Sequence, residues 1–200
     1  DKSSQPLFEK IVLACIEQIL TWREMGYNCL ICINIDTRQL ISDKFIAFIE
    51  ETLQQYSWLA QLISFEITEV CKIHDEVKAQ AMLAKLRQYG FSISIDDFGT
   101  GFAAMQYLIK YPIDVLKIDR LFITDILQDT KKQVIVKSVI EMAHSLSMQA
   151  LAEGVSNREE IEYLRSLGCD LIQGFGFGVP MSSKDASKWL KANYKPNYLL

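Results

Sequence analysis

The chain has 200 residues, half of them apolar and 23% charged, with a formal net charge of −4. That length and composition suit one globular domain, or two small ones, with a buried core. The negative balance argues against a non-specific nucleic-acid binder, which needs excess Lys and Arg, and no apolar run approaches the roughly 20 residues of a membrane span.

The first predicted element is a helix over Phe8–Met25, followed by a β-type run at Cys29–Ile35 and a second at Ile63–Thr68. Asp75–Tyr89 reads as a helix: Val77, Ala81, Leu83, Ala84 and Leu86 approximate one face, and Gly90 offers a stop. Strands are predicted at Phe91–Asp97 and Asp114–Asp119. In Lys131–Leu146 the residues Ile135, Val139, Met142 and Leu146 recur at steps of four, three and four, with Thr130 as N-cap. Met148–Val155 is the fifth strand, and Ser156 with Glu159 has capping-box spacing before a helix over Glu160–Leu167. Leu171–Phe175 is the sixth strand. Strand and helix alternate roughly every 25–35 residues without a linker or low-complexity tract, which predicts a parallel sheet with crossover helices.

Such a repeat closes either as an open doubly wound sheet or as a β/α barrel. Each strand runs into a residue able to coordinate or move protons: Asn34, Glu66, Asp96 with Asp97, Lys117 with Asp119, Glu153, and Gln173. Groups at so many strand ends converge only if those ends form a ring, as on the C-terminal face of a barrel; an open sheet would bring only the switch-point residues together. The reading is α/β, a TIM-type barrel. A closed barrel needs eight strands and six are counted, which puts the deficit at the N-terminus. The first residue is Asp1, so the expectation is a single, N-terminally incomplete domain (1–200) of a longer polypeptide.

Asn34, Glu66, Asp96, Asp97 and Glu153 offer only oxygen ligands, which suit Mg²⁺ or Mn²⁺, whereas zinc favours His and Cys. Adjacent aspartates in a pocket repel each other unless cations intervene. Two such ions about 3.5–4 Å apart would hold an attacking hydroxide and stabilise the leaving oxygen of a phosphodiester. Lys117, inside this acidic ring, is placed to orient the water or offset phosphoryl charge. The bland alternative for any one acid is a helix cap or a surface ion pair. Five oxygen ligands at successive strand ends weigh against it.

The stretches Phe65-Glu-Ile-Thr-Glu69, Ile95-Asp-Asp-Phe-Gly-Thr-Gly101, Leu116-Lys-Ile-Asp-Arg120, Ala152-Glu-Gly-Val155 and Gln173-Gly…Pro180-Met resemble the EAL-domain family in order and interval. Tyr107-Leu…Tyr111-Pro and the Asn34 strand agree as well. The resemblance implies a phosphodiesterase that opens cyclic di-GMP to linear pGpG with two Mg²⁺ or Mn²⁺ ions, on a modified barrel with one reversed strand. By position it assigns Asn34, Glu66, Asp96, Asp97 and Glu153 as metal ligands, Lys117 as the water-steering lysine and Glu69 as a support for the loop Phe98–Met105. Arg38, Asp119 and Gln173 fall near the metals or the dinucleotide. It further implies a homodimer, fusion to upstream sensory or signalling domains, and no contact with nucleic-acid polymers or the membrane.

Three departures stand out. The family's Glu-Ala-Leu motif, which supplies a metal ligand, is not among these residues; Ser156 stands where glutamate is usual; and Ala103 and Ala104 replace small hydroxyl residues. A catalytically impaired cyclic di-GMP receptor or a protein-interaction module is therefore the alternative. Gly99-Thr-Gly101-Phe-Ala-Ala104 also fits a dinucleotide fingerprint, but Asp96 and Asp97 would repel a pyrophosphate. Asp97-Phe-Gly99 mimics a kinase magnesium motif without the H-R-D loop. Five scattered cysteines indicate reduced thiols and a cytoplasmic location, with Cys29 and Cys32 expected to be buried thiols rather than zinc ligands. His74 and His144 are single and far apart, and Phe175 and Phe177 are expected in barrel packing.

Overall fold

The computed structural model describes residues 4–68, 75–99 and 104–194. In chain order these are α1 (Ser4–Glu24), β1 (Ile31–Asn34), α2 (Thr37–Leu40), α3 (Asp43–Gln55), a 3-10 turn (Leu59–Leu62), β2 (Ile63–Thr68), α4 (Glu76–Gln88), β3 (Ser92–Phe98) and α5 (Ala104–Lys110). There follow β4 (Val115–Ile118), α6 (Arg120–Ile123), α7 (Thr130–Ser145), β5 (Gln149–Ala152), α8 (Arg158–Ser166), β6 (Leu171–Ile172) and α9 (Ser183–Asn193). The six strands lie in one sheet in strict sequence order, β1 through β6. Pairing is parallel from β3 to β6, with Leu116 of β4 opposite both Ile95 and Ala150, and Leu151 opposite Leu171. Among the described residues no strand returns to the far side of the first, so the order is that of a β/α barrel wall and not of a doubly wound sheet.

Two compact units are distinguished within the chain: Asp1–Phe65 with Ile73–Ser92 and Pro180–Leu200, and Glu66–Lys72 with Ile93–Val179. The first is built on a chain of edge-to-face and tilted aromatic rings. Phe8, Phe45, Phe65 and Phe91 follow one another at centroid separations of 5.5, 5.7 and 5.1 Å, all four buried. The α3 residues Phe45, Ile46 and Ile49 form its inward stripe, the spacing an amphipathic helix requires. The α9 helix is tied to α1 by the Trp22 indole N–H, which donates to the Ser187 hydroxyl at 2.9 Å.

The second unit has the alternating core of a parallel sheet covered by helices. Ile93, Ile95, Leu116, Ile118, Ala150 and Ala152 are buried on the strands, and Val136, Ile140 and Ala143 on α7. This corrects the expected face of α7, since Ile135 and Leu146 are exposed. Val136, Ile140 and Ala143 show the same four-then-three step one residue later, and periodicity alone cannot choose between two such sets. The α4 helix is similar: Ala79, Leu83 and Leu86 are buried, while Val77 and Ala81 face out.

Two caps also move. The α7 N-cap is Asp129, not Thr130; its carboxylate accepts from the backbone N–H groups of Lys131 and Lys132 at 2.9 and 3.2 Å, and a charged acceptor outcompetes a hydroxyl there. Asn157, not Ser156, caps α8 by accepting from the Glu160 N–H at 2.9 Å, while the Glu160 carboxylate accepts from the Ser156 N–H at 2.7 Å. The side-chain cap is thus one residue on from the expected one, and the return bond reaches Ser156, the residue before the cap. Phe175 and Phe177 are 71% and 62% exposed rather than packed, because β6 is only two residues long and the chain leaves the sheet before reaching them. Cys32 is exposed and Cys29 half-buried, so neither is the buried thiol expected. His144 pairs with Asp170 at 2.8 Å, and Asp170 also accepts from the Ala150 N–H at 2.8 Å.

Replacing Phe45 by Ala removes the ring in contact with both Phe8 and Phe65. It should destabilise the fold by about 3–5 kcal/mol, read as a shift of the urea midpoint with circular dichroism.

Candidate active site

The strands that carry the site are short, and each ends in a functional group. Lys117 is on β4, where all four residues are buried, and its side chain is inward because neighbours on a strand alternate faces. Residue Lys117 is only 3% exposed. Its ammonium contacts Glu66 Oε2 of β2 at 3.0 Å, Asp96 Oδ1 of β3 at 2.8 Å and Glu153 Oε1, just after β5, at 2.7 Å. An ammonium has three N–H donors, and three carboxylates meet them here. Burial pulls the Lys117 pKa down, but the hydrogen bonds it donates to Asp96 and Glu153 and the charge of Glu66 outweigh it, leaving the group raised and protonated.

Asp96 and Asp97 would ordinarily point to opposite faces of β3. They do not, because the pairing of Ile95 with Leu116 is followed by that of Phe98 with Ile118: three steps on β3 oppose two on β4. This β-bulge contains both aspartates. Asp97 takes a left-handed φ of 56°, a conformation that Asp tolerates better than most residues. As a result, one oxygen from each of Asp96, Asp97 and Glu153 lies within 4.8 Å of the other two.

The Glu153 pKa is raised, first by burial and then by the charges of Asp96 and Glu66, against the opposing pull of Lys117. Asp97 is raised by burial, by the Asp96 charge and by a hydrogen bond with Asp119. Asp119 has a second task, capping α6 by accepting from the Leu121 N–H at 2.7 Å. Gly154, next to Glu153, has φ 69°. A Cβ there would stand 2.5 Å from the Arg120 Cβ, so only glycine lets the chain turn behind α6.

The remaining expected residues sit as follows. Gln173 is exposed just beyond β6, its backbone N–H donating to the Ala152 carbonyl at 2.8 Å. Asn34 ends β1 with an exposed side chain, and Arg38 in α2 makes a paired contact with Asp36, both in the first unit. Glu69, and residues 100–103 of the loop Phe98–Met105, lie outside the described residues. Two features went unread in the sequence: the bulge, and the double role of Asp119. A signal for the first was present in Gly99, which shares a positive φ and closes the turn two residues after Asp97.

Three carboxylates, those of Glu66, Asp96 and Glu153, contact one ammonium, and Asp97 lies beside Asp96 and Glu153, so the acids outnumber the base. The donors are all hard oxygens, and three of them converge without further rearrangement, so this set fits Mg²⁺ or Mn²⁺.

The model of the EAL domain family matches residues 2–180. Cyclic di-GMP phosphodiesterase PdeR of Escherichia coli is 32% identical over 190 residues, covering 95% of this chain and 29% of PdeR. The chain thus spans less than a third of that relative. The crystal structure of the EAL domain of Mycobacterium smegmatis DcpA is 29% identical, with a TM-score of 0.83 over 90% of this chain and 81% of that one. Klebsiella pneumoniae BlrP1, in a complex with manganese and cyclic di-GMP, is 28% identical with a TM-score of 0.70, covering 80% of this chain and 41% of that chain.

A carboxyl whose folded pKa is raised binds a proton more tightly in the folded chain than in the unfolded one. Its contribution to stability is therefore present at low pH and is lost as pH rises through the raised value. In the absence of divalent cations, Glu153→Gln should resist urea better than the parent at pH 7.5, and the advantage should shrink towards pH 4.5. Denaturation midpoints across that range in chelator check this.

Proposed function

This chain belongs to the EAL domain family, and from that membership we propose that it is a cyclic di-GMP phosphodiesterase, opening one phosphodiester of the ring to give linear pGpG. The observation that carries the proposal is the convergence of Asp96, Asp97 and Glu153 beside a buried lysine. Acids held this close are costly unless cations neutralise them.

In this reading Glu66, Asp96, Asp97 and Glu153, with Asn34, hold two Mg²⁺ or Mn²⁺ ions. When bound, the ions lower the pKa of water and offset charge on the phosphoryl group. The chain's own groups then have separate tasks. Asp96 and Asp97 fix the distance between ligands through the bulge. Lys117 offers an N–H to the water or a phosphoryl oxygen. Asp119 positions Asp97, and Arg38 and Gln173 contact the dinucleotide. The water oxygen forms the new P–O bond as the bond to the 3′ oxygen breaks, and that oxygen leaves with a proton. Glu69 supports the loop after Asp97.

In this reading the chain belongs to an EAL-type domain that works in the cytoplasm beside upstream sensory or signalling domains. No helix among the described residues is long and apolar enough to cross a membrane. A second copy of the chain is the proposed protein partner. On α5, Met105 and Ile109 are both exposed, Ile109 at 86%, and residues four apart share a helix face.

Turnover of cyclic di-GMP in Mn²⁺ or Mg²⁺ tests the proposal. Glu153→Ala should reduce it by at least about 100-fold, since a lost ligand forfeits both the nucleophile and charge stabilisation. Equal turnover in the two proteins would remove Glu153 from the site. Tight binding without hydrolysis would favour the receptor reading.

A further inference from the structure

We infer that Lys117 is a built-in counter-ion that holds Glu66, Asp96 and Glu153 together until divalent cations replace it, so that the ammonium and the cations compete for the same carboxylates. The inference rests on the phosphodiesterase reading above and concerns how its site is loaded.

All three N–H donors of Lys117 are committed, at 3.0, 2.8 and 2.7 Å, to carboxylates carried by or next to three different strands. A lysine so engaged has no donor left for a water or a phosphoryl oxygen. The contacts are also shielded: the Lys117 side chain is nearly inaccessible, and those of its partners are mostly buried. Without a cation in their midst, these acids would repel one another and spread or take up protons. The ammonium prevents this at the strand ends.

A dication drawn to the same oxygens brings two positive charges within a few ångströms of a third. Like charges repel strongly at that distance in a low-dielectric site. The flexible four-carbon stem of Lys117 lets its head swing aside while its Cα stays on β4. Each of the three acids gives Lys117 one oxygen and has a second to offer a cation. Loading the site thus releases at least one N–H of Lys117, and only then can the residue serve a water or the substrate. Two states follow: a clasped one with every donor occupied, and a loaded one with a donor free. Lys117 is in this sense a positioning residue that also sets the threshold for cation binding.

Calorimetric titration of the metal-free protein with Mn²⁺ tests this without reference to turnover. Lys117→Met should bind Mn²⁺ at least about tenfold more tightly than the parent, because the competing charge is gone. Lys117→Arg keeps the charge and should stay within about threefold of the parent. A Met variant that binds equally or more weakly overturns the inference, as does an Arg variant as tight as the Met variant. If Lys117→Met does not fold without metal, Mn²⁺ should restore the parent's circular dichroism, since the cations take over the ammonium's role; failure to restore it also overturns the inference. A parent protein that binds no Mn²⁺ at all would instead overturn the phosphodiesterase reading itself.

Discussion

One ammonium surrounded by three carboxylates governs the second unit. Burying a lone lysine is prohibitive, and burying three acids close together is equally so. Each makes the other tolerable, and the shared contacts tie β2, β3 and β4 to the turn after β5 at the ends of those strands. The charges do not cancel, however. The acids outnumber the ammonium, and burial first, then the charge of neighbouring carboxylates, makes Asp97 and Glu153 hold their protons more firmly than ordinary acids.

The bulge on β3 is the geometric counterpart of that electrostatic arrangement. A regular strand would direct one of two successive aspartates away from the site. One additional residue, with a left-handed turn at Asp97, brings both to the same side. The cost is local backbone strain of about 1–2 kcal/mol, offset by the packing around it: Phe98 is buried on one side, and a Cβ on Gly99 would approach the Phe122 ring to 2.9 Å. Fold and chemistry meet at this point, since the irregularity that disrupts the sheet is what assembles the acidic cluster.

Much of this was legible before any coordinates. Short runs rich in Ile, Val, Leu and Phe located the six strands of the described residues, with Ile63–Thr68 matching to the residue, because β-branched and aromatic side chains suit a pleated, half-buried surface. Lys117, Asp96, Asp97, Glu66 and Glu153 were readable as strand-end polar groups for the same reason. The helix phases were not, because two sets of residues on α7 had identical spacing and only the neighbouring strands decide which is inward. Nor was the fate of Phe175 and Phe177, whose apolarity suggested packing although their strand stops at Ile172. The bulge was hidden because binary patterning assumes a period of two throughout. A residue inserted for function breaks that assumption and leaves only a nearby glycine as its trace.

The left-handed backbone at Asp97 separates shape from charge in an unusual way. Only glycine, asparagine and aspartate accept that conformation readily. Asn or Gly at this position would therefore keep the turn while discarding the carboxylate. Glutamate, although the nearest acid, would preserve the charge and forfeit the turn. Backbone form thus asks here for a small residue, and only the carboxylate itself answers to charge.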